Sequence, residues 1–103
     1  MKIVAVTACP TGIAHTYMAA EQLERQAKKM DMSIKVETQG AMGIENELDP
    51  ADIKEAMAVI FAVGIPVQKS ERFEGKKIFE FSVQEAIKNA EAILLRVKEE
   101  IGG

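Results

Sequence analysis

An α/β fold with three layers, helices on both faces of a parallel sheet, is expected from two features of the 103-residue chain. The first is a pair of strand-length segments, Lys2 to Thr7 with the apolar run Ile3-Val4-Ala5-Val6 and the wholly apolar Ala58 to Val63, each the pattern of a strand buried on both faces. The second is that segments of helical periodicity separate the strand-like runs, as parallel strands joined by crossovers require. Two further strand-like runs, at Ser33 to Gln39 and Lys77 to Phe81, complete the expectation. It is a single domain, residues 1–103, with a four-stranded parallel sheet in the order 2-1-3-4.

The first strand ends at a Pro/Gly turn, and a helix follows from Ile13 to Met30. Ile13, Tyr17, Ala20, Leu23, Ala27 and Met30 recur at spacings of three and four, which draws one apolar stripe. Tyr17 and Met18 are therefore assigned to the core. Glu21 with Arg25 and Glu24 with Lys28 pair on the solvated side. In the second strand Ile34, Val36 and Thr38 alternate with Lys35, Glu37 and Gln39, and a half-polar strand belongs at a sheet edge. Gly40 to Gly43 reads as a loop leading into Ile44 to Leu48. Asp49-Pro50 starts a short helix running to Met57, with Asp as cap and Pro in the first turn. Ile65 to Lys76 is the least regular connection, anchored to the core by Phe73. Ser82-Val83-Gln84-Glu85 is a capping box that opens one last helix. Its stripe is Ala86, Ile87, Ala90, Ile93, Leu94, Val97 and Ile101, and Gly102 ends it.

The chemistry concentrates at the first turn, where the only cysteine, Cys9, lies between the first strand and its helix. A loop of this kind points backbone N–H groups and the positive end of the helix dipole into one concavity. An anion is expected there. So is a thiolate, the nucleophilic form of cysteine, which helix N-termini favour. In the order 2-1-3-4 the winding reverses beside the first strand, and the crevice at that switch point opens at Cys9.

Composition excludes several functions. A net charge of −3, with no basic block, gives no case for nucleic-acid binding. The longest nearly unbroken apolar run, Ala56 to Val67, is too short to span a bilayer and contains Gly64 and Pro66. One cysteine excludes an intramolecular disulfide or a C-x-x-C redox pair and fits a reducing cytoplasm. A lone histidine among scattered carboxylates makes no metal cluster, so neither metal nor cofactor is expected.

The run Cys9-Pro10-Thr11-Gly12-Ile13-Ala14-His15-Thr16 resembles the phosphocysteine loop of fructose-family IIB components of the bacterial sugar phosphotransferase system (PTS). Glu37-Thr38-Gln39-Gly40, Gly43-Ile44-Glu45-Asn46-Glu47-Leu48 and Arg72-Phe73-Glu74-Gly75-Lys76 fall where that family has similar stretches, so the resemblance covers essentially the whole chain. It implies that Cys9 accepts a phosphoryl group from a IIA phosphohistidine and passes it to a sugar, fructose or fructose-like, held by a membrane IIC partner. Pro10, Thr11, Gly12, Ile13, Ala14, His15 and Thr16 would then surround the phosphoryl group. His15 could donate to it or orient the loop from behind, and Thr11 and Thr16 could bond its oxygens or cap the helix. Gly40, Glu45, Asn46 and Arg72 are candidates for the rim or a partner contact, although Glu45 and Asn46 also read as a solvated turn. For Arg72 the choice is between steering an anionic donor and simple exposure, with exposure slightly favoured. The family often has aspartates flanking the third strand, where this chain has Met57 and Gly64. Two other functions share the loop: a regulatory phospho-relay without sugar transport, and a cysteine phosphatase. The phosphatase pattern C-x5-R would need arginine at the position of His15.

Overall fold

The computed structural model describes residues 1–10, 13–41 and 43–102. Thr11 and Gly12 of the cysteine loop lie outside the described residues, as do Met42 and Gly103. The elements in chain order are β1 (Lys2–Ala8), α1 (Ile13–Lys29), β2 (Ser33–Gly40), β3 (Gly43–Glu45), α2 (Pro50–Glu55), β4 (Val59–Val63), a 3-10 turn (Ser70–Phe73), β5 (Ile78–Phe81), α3 (Val83–Lys88) and α4 (Ala90–Glu100).

They build a five-stranded sheet in the order β3-β2-β1-β4-β5. The neighbours β2, β1, β4 and β5 pair in parallel, whereas β3 runs antiparallel to β2 through Thr38↔Glu45, Gln39↔Ile44 and Gly40↔Gly43. The expectation of a four-stranded, all-parallel sheet in the order 2-1-3-4 is thus corrected: the sheet has five strands, is mixed, and carries β3 outside β2. The physical reason is length, because three residues between glycine-rich turns are too few to show a strand period. One consequence matters for the site. The strand β2 is interior rather than an edge, and Val36, Glu37, Thr38 and Gln39 are all buried.

Alternate residues of the central strands feed two cores. Ile3, Ala5, Ile60, Ala62 and Phe79 pack with Leu23, Ala27, Ala86, Ile93, Leu94 and Val97 beneath α1, α3 and α4. On the opposite face Val4, Val6, Val59 and Phe61 meet Leu48, Ile53, Ala56 and Phe73. Phe73 is fully buried and sets its ring edge-on to Phe61, 5.4 Å between centroids. The irregular connection is thereby anchored where expected.

Both predicted caps form. Asp49 accepts from the Asp52 N–H at 2.9 Å, and Ser82 accepts from the Glu85 N–H at 3.0 Å. The last helix differs, because it breaks at Asn89 (φ −136°, ψ 45°) into α3 and α4. The apolar stripe nevertheless continues across the break, since asparagine gives up the helical backbone without disturbing residues on either side. Along α1 the buried stripe is Thr16, Ala19, Ala20, Leu23 and Ala27, while Tyr17 and Met18 are exposed. The assignment of Tyr17 and Met18 to the core is therefore corrected. The buried stripe is centred on Thr16, Ala20, Leu23 and Ala27, which turns Tyr17 and Met18 outward.

Candidate functional site

Cys9 follows the last residue of β1 and is half-buried. The register on either side of β1, Ala8↔Gln39 and Ala8↔Val63, decides its neighbours. The ladder runs one step further, as the Gly64 N–H donates to the Ala8 carbonyl at 2.8 Å. A cavity of about 370 Å³ opens there, lined by Cys9, Pro10, Gln39, Gly40, Ala41, Ile65 and Gln68. These wall residues carry no charged side chain. Gly64 lies directly against the loop: a Cβ built on it would stand 2.9 Å from Pro10 Cδ, closer than real Cβ atoms come. A glycine at the end of β4 is what lets Pro10 fold back over the sheet.

The first turn of α1 also approaches the cysteine. His15 is exposed, with its Nδ1 4.0 Å from the Cys9 Sγ. The Thr7 hydroxyl donates to the Thr16 carbonyl at 3.1 Å and ties that turn to β1. Thr16 itself is buried, its hydroxyl without a partner among the described residues. Pro10 and Ala14 are exposed beside the cysteine. Of the residues expected to surround a phosphoryl group, the described structure thus brings Pro10, Ala14 and His15 to the surface around Cys9 and buries the Thr16 side chain.

Of the expected rim, Gly40 lines the cavity. Glu45 is exposed and accepts a hydrogen bond from the Tyr17 hydroxyl, which links β3 to α1. That bond, with lesser help from burial and the carboxylate charge, raises the pKa of Tyr17 above its ordinary value. Asn46 is exposed with a left-handed backbone, φ 53°, and ends β3.

Arg72 is the correction. Its guanidinium grips Glu37 with both terminal nitrogens, 2.9 Å to each carboxylate oxygen. Its Nε donates to the Lys69 carbonyl at 2.8 Å. The side chain is only 18% exposed and Glu37 0%, so Arg72 neither sits in solvent nor lines the cysteine cavity. It borders a separate cavity of about 500 Å³ with Leu48, Ile53, Lys54 and Lys76. Glu37 also accepts from the Leu48 N–H at 2.9 Å and from Gln39 Nε2 at 2.7 Å. Burial pushes the Glu37 carboxyl up, but these hydrogen bonds and the Arg72 charge prevail and hold it below its ordinary value. The same hydrogen bond raises Arg72.

Gln39, Ala41, Ile65 and Gln68 are site residues that reasoning from sequence did not single out. A signal was present for Gln39, because the last residues of a strand parallel to β1 must end beside Cys9.

The family model described as "PTS system, Lactose/Cellobiose specific IIB subunit" matches residues 4–96. The chain is 50% identical over 97 residues to the PTS system fructose-like EIIB component 2 of Escherichia coli (strain K12), covering 94% of this chain and 92% of that protein. A crystallised domain of a fructose-specific IIABC component of the PTS from Borrelia burgdorferi superposes with a TM-score of 0.88 at 53% identity, covering 92% of this chain and 90% of that one. The solution structure of a PTS Enzyme IIB subunit from Escherichia coli K12 gives 0.91 at 45% identity, over 97% and 93% of the two chains.

Proposed function

The chain belongs to the PTS IIB family, and from that premise we propose that Cys9 carries a phosphoryl group from a IIA phosphohistidine to a sugar, fructose or fructose-like, held by a membrane IIC partner. Work in sugar phosphotransfer is what membership means for such a component; the carrier atom and the two partners are the finer reading. No described helix is long and apolar enough to cross a membrane.

The observation that carries the reading is the position of the thiol. It stands at the end of a central strand, half-buried, beside a 370 Å³ cavity and in front of the N-terminus of α1. In the first step the Cys9 sulfur attacks phosphorus in line. An S–P bond forms, the P–N bond breaks, and the donor imidazole leaves with the electron pair. Main-chain N–H groups of the loop and of the first turn of α1 spread the charge over the equatorial oxygens. In this reading His15, whose Nδ1 is 4.0 Å from the sulfur, donates to one of them. In the second step a sugar hydroxyl attacks the same phosphorus, the S–P bond breaks, and the thiolate is restored as the hydroxyl proton passes to solvent.

A thiol in this loop serves relay better than hydrolysis. The residue six after Cys9 is His15, so the loop lacks the arginine fork that captures a phosphate monoester from solution.

The test is mass spectrometry after incubation with a phosphorylated IIA protein. One phosphate adduct on the Cys9 sulfur is expected, absent in a Cys9→Ser variant that folds as the parent does. Relay of phosphate to sugar by that variant would overturn the reading.

A further inference from the structure

We propose that Gln39 is a positioning residue for phosphoryl transfer at Cys9, an inference that rests on the reading of Cys9 as the carrier. Gln39 is 1% exposed and pairs in register with Ala8, the residue before the cysteine. Its carboxamide spends both ends on the main chain of one residue across the cavity. Oε1 accepts from the Gln68 N–H at 2.8 Å, and Nε2 donates to the Gln68 carbonyl at 3.1 Å. Two strands would make the same pair of bonds, yet Gln68 belongs to no strand. The amide side chain thus extends the sheet by one rung to a segment that has no place in it.

The clamp is itself held. The Gln39 Nε2 also donates to Glu37 at 2.7 Å, and the Arg72 that grips Glu37 sends an N–H to the Gln68 carbonyl at 3.2 Å. Five residues from β2 and the 65–72 connection therefore act as one unit: Glu37, Gln39, Gln68, Lys69 and Arg72. Gln68, which lines the cavity wall together with Ile65, is held by this unit in addition to the packing of its neighbour Val67 against the core. Orientation of the incoming donor depends on that wall, and a misplacement of ~1 Å at a reacting centre can cost about 10²-fold in rate.

The experiment measures single-turnover phosphorylation of Cys9 against phosphorylated IIA concentration for the parent and for Gln39→Met, which keeps volume and removes both clamp bonds. Amide exchange at Gln68 and alkylation of Cys9 by iodoacetamide are followed on the same samples. Expected are faster Gln68 exchange and a saturating transfer rate lower by roughly 10-fold or more, with half-saturating donor concentration and alkylation unchanged. Faster exchange with an unchanged saturating rate would overturn the proposal, since the clamp would then be structural only. If Gln39→Met does not fold, Gln39→Asn decides. It keeps a buried amide but is one methylene shorter and gives up the reach to the Gln68 main chain, and an unchanged saturating rate in it overturns the proposal equally. Absence of any phosphate uptake by the parent itself would instead remove the reading of Cys9 as carrier, and this inference with it.

Discussion

Replacing Arg72 by methionine isolates the buried charge pair. The substitution removes two hydrogen bonds of 2.9 Å from a carboxylate that is 0% exposed and a cation that stands 4.9 Å from the Phe73 ring centroid. Taking one partner from a buried pair costs roughly 3–5 kcal/mol, whereas an exposed pair is worth about 0–1. A domain of this size holds some 5–15 kcal/mol in total, and each kcal/mol moves its melting point by about 4 °C or more. Arg72→Met should therefore melt at least ~12 °C lower near pH 7. The pH dependence has a definite sign. In the parent, Glu37 lies below its ordinary value, so its contribution is present above the unfolded carboxylate pKa and is lost as pH falls through the folded one. In the variant, burial acts with less opposition and the carboxyl moves up, so the penalty grows as pH rises and shrinks toward acid. Urea midpoints at pH 4 and pH 7 measure this. Adding Glu37→Gln to Arg72→Met removes the stranded charge, keeps an acceptor for the Leu48 N–H, and should recover ~2 kcal/mol or more at pH 7. A deficit below about 1 kcal/mol, or one equal at both pH values, would refute the view that the pair works as a desolvated unit.

Three other outcomes follow from the same geometry. Gly64→Ala sets a methyl 2.9 Å from Pro10 Cδ, so the residue next to Cys9 must move; a cost of about 1–3 kcal/mol in urea and slower phosphate uptake from IIA are expected together. Asp52 is held at about 2, first by the hydrogen bond from Lys35 at 2.7 Å and then by the Asp49 N–H. Its share of stability is thus present above the unfolded value and lost as pH falls through about 2; Asp52→Asn should show a flatter acid limb when midpoints are followed downward from pH 5. Ser82→Ala removes the cap accepting from Glu85 at 3.0 Å and should cost about 1 kcal/mol in equilibrium unfolding.

Much of this was readable from residue order because it rests on local rules. The apolar runs of β1 and β4, the caps at Asp49 and Ser82, and the strand-turn-helix around Cys9 each declare themselves within a few residues. Where the reading failed, the deciding neighbour was distant in sequence. Glu37 and Gln39 look like the wet face of an edge strand until β3 and the 65–72 connection cover them. Arg72 looks solvated until its carboxylate partner, 35 residues earlier, is brought beneath it. Tyr17 keeps the helical period of a core residue, yet it is exposed and its hydroxyl reaches Glu45, 28 residues later.

What the chain alone determined was an α/β framework and a thiol at the end of its first strand, since strand burial, turn chemistry and helix periodicity are short-range properties. What only the folded molecule decided was the wall opposite that thiol. Gln39 and Glu37 of β2 find Gln68 and Arg72 only when the connection after β4 folds over them. Their polar groups are buried at an acceptable cost because hydrogen-bond partners arrive from 29 and 35 residues away.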